Sequence, residues 1–259
     1  MIKVDKNLDL VPNLLKKENR KIAFEANIQA SDYVDIKDRY RVGSVQTRLQ
    51  NIYSLKCGYC EKKLLDASKP IEHYRPKRGG YYWLAYSWDN LLLSCAECNT
   101  AKGNKFPIKK TKVNYNNEGF KDIHTLGKSY DEIEEPYLIN PEKDDIMDKL
   151  RFDKKGMIYT DDERVQKTID TCTLDRKSLA QLREEVFIDF LEDMENHYEY
   201  YKIKKDATRF VPTVKKFIEN TQRENMFFAF RNYILENIEV FFENRNIANI
   251  IKRIHNLKQ

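Results

Sequence analysis

Four of the five cysteines stand as two tight pairs, Cys57 with Cys60 and Cys95 with Cys98, with 34 residues between them. Cys-x-x-Cys spacing lets two thiolates of one turn reach a single ion, and two such pairs complete the tetrahedral shell of a structural zinc. A closed shell anchors a fold and performs no chemistry. Between the pairs lies Ile71-Glu72-His73-Tyr74-Arg75-Pro76-Lys77, a carboxylate beside an imidazole, and then Trp88-Asp89-Asn90-Leu91. Asn99 follows the last cysteine, with Lys102 and Lys105 beyond it. Neutral imidazole accepts a proton near neutral pH. Carboxylate and amide oxygens suit a hard divalent cation, and lysine or arginine suits phosphate. Glu72 and His73 are neighbours in a segment that reads as extended, so they point to opposite faces. Serving one site from both sides then requires a strand end or a turn at that point.

The elements that must carry these residues fall into regions. Residues 1–56 read as an extended start followed by a helix across Ser44–Leu55, where Val45, Leu49, Ile52 and Tyr53 share a face. Residues 57–107 read as strands and loops closing with a helix that begins near Cys98, with Lys102 and Lys105 on its turns. Residues 108–172 read as a loop over Lys109–Gly119 and a small β region: a strand at Tyr137–Pro141, then a hairpin of Leu150–Asp153 and Gly156–Tyr159. Residues 173–259 turn helical, with Thr173 or Asp175 as N-cap and Leu179, Leu182, Val186, Phe190 and Met194 at helical steps. Pro212 is expected to break that run, with further helices to Leu257. The aromatic residues there (Phe217, Phe227, Phe228, Phe230, Tyr233, Phe241, Phe242) follow the helical period and read as core rather than as a stacking platform. Cys172, alone, reads as a small buried apolar residue. His124, His197 and His255 lack partners at ligand spacing and read as structural or exposed.

Aliphatic and aromatic residues make up 41 % of the 259 positions and charged residues 34 %, the balance of a globular protein on the polar side. No apolar run is long enough to span a membrane, and the first ten residues lack the apolar centre of a signal peptide. The expected compartment is the cytoplasm, where cysteine pairs stay reduced. Net charge is +5, but its distribution says more. Lys56–Lys112 holds 12 basic and 5 acidic residues, whereas the rest holds 34 and 36. A positive excess confined to the cysteine-bearing stretch is the footprint expected of phosphate binding.

In order, Cys-x-x-Cys, acid-His, Asn-Leu and Cys-x-x-Cys-Asn-x-x-Lys-Gly resemble the HNH nuclease motif in its zinc-stapled form, over about a fifth of the chain. The resemblance implies an α+β fold: a zinc-stapled ββα-metal core inserted in a mostly α-helical protein with a helical C-terminal region. It implies His73 as general base, Glu72 and Asn99 as ligands of a catalytic Mg2+ or Mn2+, and Asn90 as the asparagine fixing the histidine loop. Glu72 stands where Asp is usual and Asn99 where His is frequent; both keep an oxygen donor. Arg75, Lys77, Lys102 and Lys105 become the phosphate contacts. The phrases Tyr59-Cys60-Glu61, Ile71–Lys77 and Trp83–Leu91 resemble more narrowly the PtuB nuclease subunit of Septu and retron anti-phage systems, and Leu138–Pro141 and Thr173–Asp175 agree. That family implies an endonuclease acting on DNA or tRNA with a PtuA-like ATPase. In retrons it also implies a reverse transcriptase and its DNA–RNA product. Two other readings stay open: a zinc-stabilised nucleic-acid-binding module without catalysis, and a structural zinc module whose helical tail docks a partner.

Overall fold

The computed structural model describes residues 3–36, 43–65, 70–116 and 123–256. The end of the loop expected at Lys109–Gly119, and Leu257, lie outside them. The chain divides into two compact units, Met1–Ile146 with Asp161–Leu174, and Met147–Thr160 with Asp175–Gln259. No helix among the described residues is long and apolar enough to cross a membrane.

The first unit contains helices α1 (Lys17–Ala30), α2 (Gly43–Ile52), α3 (Ala96–Lys102), α4 (Leu126–Glu134) and α5 (Glu163–Cys172). Strands β1 (Ile71–His73) and β2 (Leu91–Leu93) pair antiparallel, with Glu72 opposite Leu92 and His73 opposite Leu91. Helix α2 is the one expected over Ser44–Leu55, cut short because Ser54 and Leu55 turn left-handed. Val45, Leu49 and Tyr53 are buried. The helix expected near Cys98 begins at Ala96 instead. Cys95 is its N-cap, with extended backbone and a sulfur that accepts from Cys98 N. It ends at Lys102, because Gly103 takes φ +50, so Lys105 lies beyond it. Strand β1 ends at His73, which supplies the strand end that Glu72 and His73 require.

Tyr137–Pro141 is not a strand. The bridge of Ile108 with Pro136 lies just before it. Its ends bond to backbone, Tyr137 N donating to Pro107 O at 3.0 Å and Val4 N to Pro141 O at 2.6 Å. Its middle is met by side chains: Ile139 N donates to Thr168 Oγ1 at 2.9 Å, and Tyr74 Oη donates to Leu138 O at 2.6 Å. A single extended segment satisfies its backbone this way as well as a sheet would. Helices α1, α4 and α5 have no counterpart in the sequence reading. The buried face of α1 includes Arg20 and Asn27, so its apolar periodicity is faint, whereas α5 keeps Val165, Ile169 and Cys172 on one buried face at helical steps, beside Thr168 and Thr171. Thr173 is not the N-cap of the next helix; it ends α5 in left-handed conformation.

The second unit holds the hairpin of β3 (Arg151–Phe152) with β4 (Ile158–Tyr159). Helices α6 (Lys177–Lys204), α7 (Phe210–Glu219), α8 (Phe228–Glu236), α9 (Ile238–Phe241) and α10 (Arg245–Asn256) follow. Helix α6 starts after Arg176 without a side-chain cap, so Asp175 does not cap it either. Pro212 does not break it: α6 ends earlier, at left-handed Lys205, and Pro212 sits in the first turn of α7, where its missing N–H costs nothing. The aromatic stripe is core, as expected. Phe217, Phe227, Phe230, Phe241 and Phe242 are buried, and Phe190 stacks on Phe217 with centroids 3.9 Å apart. The hairpin lies tight on α6. Gly156 has φ +70, a Cβ there would meet Arg183 Cβ at 2.7 Å and Ala180 O closer still, and its carbonyl accepts from Arg183 Nη1 at 3.0 Å. Gly156→Ala combines a strained backbone with overpacking and is expected to cost about 2–4 kcal/mol. Denaturant unfolding followed by helical circular dichroism checks it, and a loss below about 0.5 kcal/mol, the range of inert surface changes, would show the contact to be slack.

Candidate active site and metal centre

The first cysteine pair sits in a turn closed by the bridge of Lys56 with Lys63, where Glu61 takes φ +64 and donates its N–H to Cys57 O at 3.0 Å. The second pair straddles the start of α3. Gly58 N donates to Leu93 O at 2.8 Å, which joins the first turn to β2. All four sulfurs are buried and lie within 4.8 Å of one another, with Cys60 Sγ 3.7 Å from Cys95 Sγ. Ligands at about 2.3 Å on tetrahedral corners stand ~3.8 Å apart, so the donor set fits zinc. Burial pushes the Cys57 thiol far up, hydrogen bonds from the three neighbouring thiols pull Cys60 well down, and the same contacts, led by Cys57, push Cys98 up. Thiols this close ionise together only around a cation, and zinc deprotonates coordinated thiols outright. Cys172 is buried as well but is not among the four clustered sulfurs, and burial pushes its thiol up to about 12.

Strands β1 and β2 and helix α3 form a ββα unit on this centre. His73 is buried, with Nε2 3.0 Å from Ala85 O. A carbonyl can only accept, so Nε2 carries the proton and the imidazole lone pair sits on Nδ1. Asn90 clamps the chain just after His73. Its Oδ1 accepts from Arg75 N at 2.7 Å, and its Nδ2 donates to Arg75 O at 3.0 Å and Leu84 O at 3.2 Å. The turn bearing Asn90 is fixed in turn. Trp88 N donates to His124 Nδ1 at 2.9 Å, and Lys6 Nζ caps Trp88 O at 2.6 Å and Leu91 O at 2.8 Å. Lys6 is itself buried against Glu142 at 2.7 Å, which accepts from Tyr53 Oη at 2.7 Å. Lys6 and Glu142 escaped the sequence reading, and Tyr53 was read only as a core position, because nothing in one chain's order signals a contact across more than eighty residues. His124 is structural, as expected.

Glu72 leaves β1 on the side of α3, where Lys102 Nζ meets its Oε1 at 2.6 Å and the His73 carbonyl at 2.8 Å. Burial pushes the Glu72 carboxyl above the usual range, against the pull of Lys102. Asn99, one turn before Lys102, reaches the Ile71 carbonyl with Nδ2 at 3.5 Å. Asn99 and Lys102 of α3 thus meet the same stretch of β1. Carboxylate and amide oxygens such as those of Glu72 and Asn99 suit a Mg2+- or Mn2+-class ion, and the Lys102 ammonium stands on that carboxylate. The four expected phosphate contacts separate. Arg75 is buried between Glu134 at 2.8 Å and Asp131 at 2.7 Å, and Lys102 is fully buried. Lys77 is half-buried with Nζ 4.1 Å from the Tyr33 ring centroid, and Lys105 is exposed. In this arrangement Arg75 and Lys102 present no charge at the surface.

Residues 57–105, which hold the ββα unit and the cysteine cluster, match the family model described as HNH endonuclease. Over a longer span the chain is similar to the Septu protein PtuB of Bacillus mycoides (strain KBAB4), 34 % identical over 168 residues, which are 59 % of this chain and 54 % of that protein. The Septu protein PtuA of the same strain is 26 % identical over 199 residues, 72 % of this chain and 26 % of that one. The PtuB of Bacillus thuringiensis is 38 % identical over 72 residues, 27 % and 28 % of the two chains. The chain therefore spans about half the length, or less, of the curated relatives it matches.

Purified protein is expected to hold about one zinc per chain by elemental analysis. Cys95→Ser is expected to lose both the metal and cooperative unfolding, since zinc binding is folding free energy. Well-folded protein devoid of zinc would contradict this.

Proposed function

We propose that the chain is a metal-dependent HNH endonuclease that hydrolyses phosphodiester bonds in DNA or tRNA, as the effector of an anti-phage system in the bacterial cytoplasm. The observation that carries the reading is the fixed tautomer of His73. With Nε2 donating to Ala85 O, the lone pair of Nδ1 is the proton acceptor, and the Asn90 clamp sets the ring's position. In the proposed reaction His73 Nδ1 takes a proton from water, and the hydroxide attacks phosphorus in line with the departing 3′ oxygen. An ion on Glu72 and Asn99 would polarise the phosphate and offset the charge on that oxygen. The products are 5′-phosphate and 3′-hydroxyl ends. Of the four expected phosphate contacts, Lys77 and Lys105 are not buried in carboxylate pairs, which supports a role for them in positioning the phosphate backbone.

The named relatives are all Septu proteins, which favours a PtuA-like ATPase as partner over a retron reverse transcriptase with its DNA–RNA product. In the relative named PtuA the similar stretch is only 26 % of the protein, so a module of this kind does occur alongside a much larger body of other sequence. A tagged copy is expected to retain a PtuA-like ATPase through purification. Recovery of the chain alone, at native expression, would count against the pairing.

His73→Ala is expected to lower cleavage by at least ~10²-fold, the low end for general-base catalysis, with zinc content, melting temperature and substrate binding unchanged. Asn99→Ala is expected to inactivate through the ion and to regain activity in raised manganese, whereas His73→Ala is not. Assays need both DNA and tRNA, with the partner present. A His73→Ala protein that cleaves as well as the wild type would sink the catalytic reading and leave a zinc-stabilised nucleic-acid-binding module.

A further inference from the structure

Helix α3 grips three successive residues of β1 with two side chains. Asn99 reaches the carbonyl of Ile71 at 3.5 Å, and Lys102 reaches Glu72 Oε1 at 2.6 Å and the carbonyl of His73 at 2.8 Å. Both members of the Lys102–Glu72 pair are buried, with side-chain exposures of 0 % and 5 %. A buried carboxylate needs a positive partner, and here the chain supplies one from its own helix. A divalent ion on the same carboxylate would set two cations side by side out of water, a strongly unfavourable arrangement at low dielectric. Lys102 is also well placed to leave. It is the last residue of α3, the chain turns away at Gly103 with φ +50, and its four-carbon stem is flexible.

We propose that Lys102 is the resident cation of the Glu72 site, and that a divalent ion binds there only by displacing its ammonium. The inference rests on the reading of Glu72 and Asn99 as ligands of the catalytic ion. It makes Lys102 a positioning residue that sets divalent affinity. The cysteine cluster, being a closed set of four sulfurs, is untouched by the exchange.

The test is Mn2+ binding to the zinc-loaded full chain, read from the free-ion electron paramagnetic resonance signal and from the rise in melting temperature with Mn2+. Wild type, Lys102→Met, Lys102→Arg and the double variant Lys102→Met with Glu72→Gln are compared. Lys102→Met is expected to bind one Mn2+ at least about tenfold more tightly than wild type, or ~1.4 kcal/mol, and to gain more thermal stability from the ion. Lys102→Arg, which keeps the charge, is expected to bind no more tightly than wild type, and the double variant is expected to lose the site. If removing Lys102 leaves Glu72 too exposed to a lone buried charge for folding, folding restored by Mn2+ supports the proposal, and failure to fold with or without the ion overturns it. Equal affinity in wild type and Lys102→Met, or tight binding that survives Glu72→Gln, also overturns it while leaving the nuclease reading intact. No site in any variant removes the ligand reading as well.

Discussion

Closure of four sulfurs within 4.8 Å of one another is the constraint around which the first unit is arranged. Strands β1 and β2 have three residues each, too few to hold together in water unaided. Their register survives because both flanks of the hairpin lead to the same point. Gly58, between the first two cysteines, donates to Leu93 at the end of β2, and two residues later Cys95 enters the cluster. Cys95 also caps α3 with its sulfur. One side chain thus joins the end of β2, the metal shell and the start of the helix, and so fixes the angle at which α3 meets β1. The facing of Asn99 and Lys102 towards Ile71, Glu72 and His73 follows from that angle.

Around this anchor the unit places buried charges, and two of them, Arg75 and Lys6, meet carboxylates. Arg75 lies between Glu134 and Asp131, and Tyr81 Oη donates to Glu134 at 2.6 Å. Lys6 lies on Glu142 and over the Trp88 ring at 4.4 Å. Such pairs add little net stability over apolar residues of the same size, yet breaking one leaves a lone charge in the core. Their effect is therefore on the choice of arrangement. Arg75 and Lys6 hold the segments on either side of the Asn90 clamp, and a shifted register would strand both. A base that must present one nitrogen to water gains from neighbours that allow only one arrangement.

What could be read from residue order was what is local. The cysteine pairs, the acid–histidine step and the two asparagines lie within about fifty residues, and each carries its chemistry in its type. The ends of elements were harder. Cys95 as a helix cap looks, in sequence, only like a ligand, and Thr173 was read as opening a helix where it closes one. Helix α1 is masked in sequence because it turns polar residues inward, and Arg20 donates to Leu15 O at 2.9 Å. In α5 Thr168, whose Oγ1 accepts from Ile139 N, interrupts a stripe of Val165, Ile169 and Cys172 that the sequence does show. A buried threonine or arginine lowers the apolar signal that periodicity depends on, and its reason for burial lies in a distant segment. Lys102 is the sharpest case. Its spacing from Asn99 put it on the correct face of α3, but residue type alone suggested a phosphate, and only the fold shows the carboxylate it meets.

The same distinction governs the charge excess. Between Lys56 and Lys112 the sequence holds 12 basic residues against 5 acidic, but several of their partners lie elsewhere in the chain. Arg75 is neutralised by Asp131 and Glu134, Lys109 faces Glu163 at 3.5 Å, and Lys110 faces Glu135 at 2.6 Å. Buried pairs are closed to a nucleic acid, whereas surface pairs are weak, screened by salt and open to exchange for phosphate. If the chain binds nucleic acid as proposed, the surface charges that could steer a strand include those just past β1 and just past α3. Lys77 and Arg78 lie over Tyr33, Lys112 lies over Tyr81 at 5.1 Å, and Lys105 is exposed just past α3. Counter-ion release scales with the phosphates a protein neutralises. The salt dependence of binding should accordingly follow these surface residues and not the larger excess counted along the chain.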